Sequence, residues 1–237
     1  MLDIVQNTDT TDLSRRWDLY GPVHKGLRLM WSDFIGRLGR TDFTDRDTAR
    51  AMLADLRGAL RLGAKHLSHE DDYVHCALEQ RAIASTVRLE HQHEQHRVRF
   101  DELYQLIAIV DAEEDDWARM VLGRRLYMTF TTFVAEDLEH MHEEETVTWP
   151  LLCELFTDAE LEAIEMTILA SLPPEMVIAF MRLMIPAMHP KERAGLLGGM
   201  QASAPPEAFA AVIEFAARPT LSPVEFNDLS TALKLAA

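Results

Sequence analysis

The chain predicts an all-α fold: an up-down four-helix bundle followed by a C-terminal helical extension. Three observations lead there. Apolar side chains recur at three/four spacing across the first two thirds of the 237 residues. The alternating β-branched runs and Asn-Gly or Asp-Gly turns of strands and hairpins are nearly absent. The connections between the long amphipathic stretches are short, which makes sequence neighbours antiparallel.

The first helix is expected from about residue 13 to 38, on a stripe of Trp17, Tyr20, His24, Leu27, Trp31, Phe34 and Leu38. "GRLGRTDFTDRD" (36–47) breaks it and supplies Asp and Thr caps for the next. The second runs from about 45 to 79, with Met52, Leu56, Leu60, Gly63, His66, Glu70 and Ala77 inward. The third, from about 85 to 110, turns Leu89, His93, His96, Phe100, Leu103 and Ile107 inward. After the acidic break "DAEEDD" the fourth carries Leu126, Phe130, Phe133, Asp137, His140, Glu144 and Leu151. From about residue 156 the pattern changes to shorter segments, with starts such as "FTDAELEAI", "SLPPEM", "MHPKER", "ASAPPEAF" and "TLSPVEF" that are mostly marked by proline. The chain thus divides at 1–155 and 156–237. The second part has three readings: padding for the bundle, a cover for one end, or the contact of a homodimer.

Composition narrows the function. No apolar run approaches the length of a membrane span. The opening "MLDIVQNTDTTDLSRRW" lacks the layout of a signal peptide, so a cytoplasmic setting is expected with no membrane partner. Two cysteines, Cys76 and Cys153, make no disulfide framework. A formal net charge of −16 repels phosphate backbones and argues against nucleic acid.

The chemistry lies in two related stretches, "LGAKHLSHEDDYVHC" (62–76) and "LEHMHEEETVTWP" (138–150). With His140 aligned on His66, Glu144 falls on Glu70 and Glu145 on Asp71. A histidine and a carboxylate four apart on a helix point the same way and can reach one metal ion. The pattern alone is weak in a chain with ten histidines and 39 acids. Its placement is not. His66/Glu70 and His140/Glu144 stand on apolar stripes, where an unpaired carboxylate needs a cation or a hydrogen-bonded network. A third pair, His75/Glu79, lies off its stripe and reads as chance. The other two helices repeat as well: "HKGLRLMWSDF" from His24 matches "HEQHRVRFDEL" from His93, with Arg28 over Arg97. One inward histidine per helix results, His24, His66, His93 and His140, with Glu70 and Glu144.

On these residues the chain resembles the hemerythrin-like proteins (the HHE cation-binding domain), over roughly residues 13–155. The resemblance implies two non-haem irons, oxo- or hydroxo-bridged, inside the bundle. His24 and His66 would serve one iron, His93 and His140 the other, and Glu70 and Glu144 would bridge. Zinc or manganese suits the same ligand types. Two departures stand out. Where oxygen carriers of the family have a second histidine four after His93, this chain has Arg97; His96, also inward, is a candidate fifth histidine ligand. Without it, the His93/His140 iron is expected to be the more open. On the fourth helix the oxygen carriers place their acid at the position of Glu145. A straight helix turns Glu144 about 40° from His140 and Glu145 about 140°, which favours Glu144 and leaves Glu145, with Glu139 and Glu143, mainly solvated.

Around the cluster, Asp137 reads either as an acceptor for a ligand histidine or as an acid near a helix boundary. His69 reads as a near neighbour of the site, and His91 and His142 as solvent-facing. Tyr20, Tyr73 and Tyr127 are pocket candidates or ordinary packing, and Cys76 marks the end of the motif. The functional expectation is a protein that binds a diatomic ligand, dioxygen or nitric oxide, for sensing, storage or redox response. An iron-dependent redox enzyme or an iron-centre repair protein is the alternative. The repair members' extra N-terminal cysteine-bearing domain has no counterpart in the dozen residues before the first helix, which disfavours that reading. A structural or interaction module that keeps the site is a third. No nucleophile dyad or phosphate loop argues for an enzyme.

Overall fold

The computed structural model describes residues 15–235, and within them the chain is helical with no strand. Helix α1 spans Gly21–Arg40. Helix α2 runs Arg46–His69, widens into a π turn at Glu70–His75 and finishes as Cys76–Arg81. Helix α3 is Val87–Ala112. Helix α4 runs Asp116–Glu143, has its own π turn at Glu144–Thr148 and ends as Trp149–Leu155.

The start of α1 differs from the sequence expectation. Residues 13 and 14 lie outside the described residues, as does most of the opening stretch, and 15–20 are not helical. Asp18 accepts from the backbone N–H of Tyr20 (3.0 Å) and of Gly21 (2.8 Å), and Pro22 has no N–H to give an upstream carbonyl. These donors are lost to any helix entering from residue 13, whereas proline in the first turn suits a helix that begins at 21. Trp17, placed on the inward stripe by its spacing, is instead 38% exposed. The caps expected for α2 and α4 are present: Asp45 accepts from Asp47 and Thr48, and Asp115 from Ala118.

Each long helix packs on the next, and α4 closes back on α1. Their shared core includes Trp31, Leu56, Leu60, Phe100, Leu103, Phe130 and Phe133. Trp31 meets Phe130 and Phe133 edge-on, with centroids 5.8 and 5.4 Å apart. Gly63 makes room for that indole, since a Cβ there would come within 2.9 Å of it.

Five further helices follow: α5 (Asp158–Ser171), α6 (Pro174–Ala187), α7 (Pro190–Ser203), α8 (Pro206–Val212, with a π turn at Ile213–Ala217 and a last turn Arg218–Thr220) and α9 (Pro223–Leu233). Each begins where its start signal stands in the sequence. Helix α6 lies along α1 and adds Phe180 and Leu183 to the main core. The approach is close at Gly26, where a Cβ would meet Leu183 at 2.7 Å. Helix α5 packs on the π turn of α2, where Tyr20, Val74, Leu78, Trp149, Phe156 and Leu161 form a smaller cluster. Helices α5 and α6 thus both pack on the earlier helices. No helix among the described residues is long and apolar enough to cross a membrane.

Candidate metal centre

Six side chains from four helices meet at one level. His24 stands in the first turn of α1, fixed by the helix start at Pro22. His66 with Glu70 and His140 with Glu144 are set on one face of α2 and α4 by their four-residue spacing, and α3 contributes His93. All are buried except His66, whose side chain is 12% exposed. The ligand atoms of Glu70, His93, His140 and Glu144 lie within 4.8 Å of one another, and so do those of His24, His66 and Glu70. Glu70 belongs to both groups.

The spacings suit shared cations. Donors bound at about 2.0–2.2 Å to one ion sit roughly 3–3.5 Å apart. Here His66 Nε2 is 3.0 Å from Glu70 Oε1, His140 Nε2 is 3.3 Å from Glu144 Oε2, and His24 Nε2 is 3.4 Å from Glu144 Oε2. His24 Nε2 to Glu70 Oε1 and His93 Nε2 to Glu70 Oε2 are slightly longer, at 3.6 and 3.7 Å. Both oxygens of Glu70 and of Glu144, and Nε2 of His24 and of His66, are buried without a hydrogen-bond partner.

Three of the imidazoles are held from behind. His24 Nδ1 is 3.0 Å from Glu145, which Arg28 grips with two hydrogen bonds of 2.5 and 3.0 Å. His93 Nδ1 is 2.7 Å from Asp71, whose other oxygen takes a 2.7 Å bond from Arg97. The two arrangements are the same motif, Arg–carboxylate–His, once in each half of the repeat. His140 Nδ1 is 2.9 Å from Gln92 Oε1, and Gln92 donates its amide to Glu143 at 2.8 Å. Carboxylates and an amide oxygen only accept, so these Nδ1 atoms carry the hydrogen, and each ring in its neutral form presents a bare Nε2 to the cluster. His93 Nε2 and His140 Nε2 are 3.0 Å apart. Two lone pairs at that distance call for a positive charge between them.

The π turns explain why both acids of each motif are used. With i→i+5 bonding a turn takes more than four residues, so positions four and five after a histidine flank its direction. Glu70 and Glu144 face the centre, while Asp71 and Glu145 reach the backs of His93 and His24. The straight-helix expectation of a mainly solvated Glu145 is thereby corrected. So is the dismissal of His75. The π turn carries it inward, where it is buried and stacks on His93 at 4.8 Å, with Nδ1 3.3 Å from Asp71. Its supposed partner Glu79 instead accepts from Thr86 and Ala84 in the α2–α3 connection. Asp71, His75 and His93 form a third possible ligand group; because Asp71 is engaged by His93 and Arg97, we read it as support for His93.

The electrostatics follow from burial and neighbours. Burial raises Glu144 well above the usual carboxylate range, and the adjacent Glu70 adds to it. Burial pushes Glu70 the same way, but His66 and His24 outweigh it and hold Glu70 well below that range. Without a cation the pair therefore keeps a proton on Glu144. Burial drives His140 down to about 2; Glu70 pulls against it, while His93, His96 and His24 push the same way as burial. Its imidazole is neutral, the form that binds metal. Burial disfavours charge on Glu145, yet His24 and Arg28 lower it to about 2. Burial would lower His24, but Glu145 and Glu70 raise it.

The remaining candidates fall into place. His96 is buried beside His140, with centroids 4.9 Å apart and its Nε2 4.0 Å from Asp137, and is in neither group that shares Glu70. Asp137 accepts from the Trp31 indole at 2.8 Å and serves no ligand histidine. His69 is buried against Phe180 and Tyr73 and belongs to no group able to hold metal. His91 and His142 are exposed, as expected. Of the tyrosines, Tyr20 lies on His24 at 5.1 Å, Tyr73 lies beside His69, and Tyr127 sits by Gly39. The roles of Arg28, Arg97, Asp71 and Gln92 were missed; the Arg28/Arg97 and Glu145/Asp71 matches were the signals.

Fold and site together define an all-helical protein with a buried histidine–glutamate cluster able to hold metal. No family model matches the chain. It is similar to F-box/LRR-repeat protein 5 of Mus musculus and of Bos taurus, 23% identical over 157 residues in each case, which is 65% of this chain and 21% of theirs. The Xenopus tropicalis protein of that name is 24% identical over 155 residues. The chain spans about a fifth of the length of these relatives, and at this identity the likeness assigns no activity to it.

Proposed function

We propose that residues up to 155 form an up-down four-helix bundle of the hemerythrin-like kind, with 156–237 as a helical extension. In this reading the bundle holds a non-haem di-iron centre in a cytoplasmic protein. His24 and His66 would hold one iron and His93 and His140 the other, with Glu70 and Glu144 shared between them. Such a pair of ions supplies open coordination positions for a diatomic ligand, dioxygen or nitric oxide, in sensing, storage or redox response. The chain's own residues orient the imidazoles through Glu145, Asp71 and Gln92. They also shield the centre from water with Tyr20 and the buried core.

The observation that carries the proposal is the His93–His140 contact at 3.0 Å, with both Nδ1 hydrogens committed elsewhere and unpartnered Glu70 and Glu144 oxygens alongside. A buried set of bare donors needs cations, and imidazole with carboxylate suits iron. The test is metal analysis of natively expressed protein, with optical and Mössbauer spectra under nitrogen, air and nitric oxide. About two irons per chain, with a spectrum that changes on gas addition, is the expected result. Stoichiometric zinc without iron would overturn it. The redox-enzyme alternative draws on one observation, an apolar cavity against His66 and Glu70.

A further inference from the structure

That cavity, about 100 Å³ in volume, lies between the start of α1, the π turn of α2 and helices α5 and α6. Val23, Leu169, Val177, Phe180 and Met184 are among its walls, and His66 and Glu70 stand on the side of the cluster. Two other lining residues bring polar atoms that are buried without a hydrogen-bond partner, Tyr20 Oη and His69 Nε2. Neither belongs to the groups able to hold metal. Buried polar atoms are normally paired, and each one left alone costs about 1–3 kcal/mol. A ligand that brought a hydrogen-bonding group to them in this otherwise apolar space would pair both.

Size and charge narrow the ligand. An aliphatic cavity of about 150 Å³ takes up benzene, so this one suits a slightly smaller molecule, larger than a diatomic. The lining includes Asp18, Glu70 and Glu165 but no Lys or Arg, which disfavours an anion. Asp18 is engaged by the N–H groups of Tyr20 and Gly21, and Glu165 by the Trp17 indole at 2.6 Å. Glu70 is engaged by metal in the function proposed above, on which this part of the inference rests. The bonds to Asp18 and Glu165 occupy acceptor sites without cancelling the carboxylate charge, but a cation would still have to leave water for largely apolar walls.

We propose that this cavity binds a small neutral organic molecule of roughly four or five non-hydrogen atoms, with one hydroxyl or carbonyl group bonded to Tyr20 and His69. The molecule lies against the His66–Glu70 side of the centre. Because α5 and α6 form much of the wall, the site belongs to the C-terminal helices as much as to the metal-bearing ones.

The test uses the full chain, metal-loaded and chelator-treated, with 1-butanol, butyrate and butylammonium as probes followed by methyl NMR shifts. Butanol should bind saturably in both forms; in the metal-loaded form the two ions should bind at least about tenfold more weakly, because their charge leaves water for largely apolar walls. Leu169→Trp, or Val177→Phe should the first not fold, fills the cavity and should abolish butanol binding with metal content unchanged. Tyr20→Phe should weaken it about three- to tenfold. Absence of saturable binding in a protein that still loads metal would overturn this inference and leave the metal reading standing. Binding that survives in a filled variant, or that favours either ion in the metal-loaded protein, would overturn it too. Butanol binding in a chain that never takes up iron would count against the metal reading alone.

Discussion

The two halves of the cluster are built from the same repeat but closed differently. On the His93/His140 side both rings are held from behind, by Asp71 and Gln92, and His75, His96 and Phe133 pack around them. On the His24/His66 side only His24 is held in this way, by Glu145. His66 is the most exposed of the six, and the cavity under α5 and α6 opens beside it. The missing histidine at Arg97 suggested that the His93/His140 side is the more open. The packing, by contrast, leaves the His24/His66 side the less covered. Arg97 closes its own half by holding Asp71 under His93, and the opening lies where the C-terminal helices cover the other half.

Changes to the shared ligands test this most severely. Glu144→Ala or Glu70→Ala removes a group common to both halves and should lower metal content from about two ions per chain to none, measured by elemental analysis. Loss of one ion only would show that the halves load independently. His66→Ala should affect its own half first.

The supports come next. Removing a group that holds a ligand histidine typically weakens metal binding 10- to 100-fold. Asp71→Asn and Glu145→Gln should both fall in that range when affinity is measured by chelator competition, since each acts within the same Arg–carboxylate–His motif. A large effect from one and none from the other would break the equivalence of the repeats. His75→Ala, expected from the sequence to be silent, should cost about tenfold by loosening Asp71 and His93.

The smallest effect concerns the cover of the open half. Arg81 on α2 holds Glu160 on α5 at 2.5 Å, and this bond, with those from Thr157 in the helix cap, lowers the Glu160 carboxyl from 4.5 to about 2. A carboxylate with a depressed folded pKa stabilises above its unfolded value and loses that stabilisation as pH falls through the folded one. Between about pH 4.5 and 2, Glu160→Gln should therefore show a shallower acid loss of stability than the parent, followed by circular dichroism. An unchanged acid limb would mean that the pair does not fasten α5.

Much of this was legible in the residues themselves. Three/four spacing located the four long helices because burial of one stripe is the same requirement in any helix packed on others. His24, His66, Glu70, His93, His140 and Glu144 were identifiable because charged and ligating groups on an apolar stripe are costly without a partner. The positions of Asp71, His75 and Glu145 were not, because a period of 3.6 assumes an unbroken helix and each π turn shifts every later residue around the axis. Trp17 failed similarly, since hydrogen bonds to Asp18 and the missing N–H of Pro22 decide the start of α1 regardless of stripe. Sequence alone determined which side chains must face inward, a local matter of period and polarity. Which ring nitrogen faces the centre, which half is covered and where a cavity remains depend on side chains from different helices meeting at distances of a few ångströms. Only the packing of α5 and α6 against α1 and α2 could decide those.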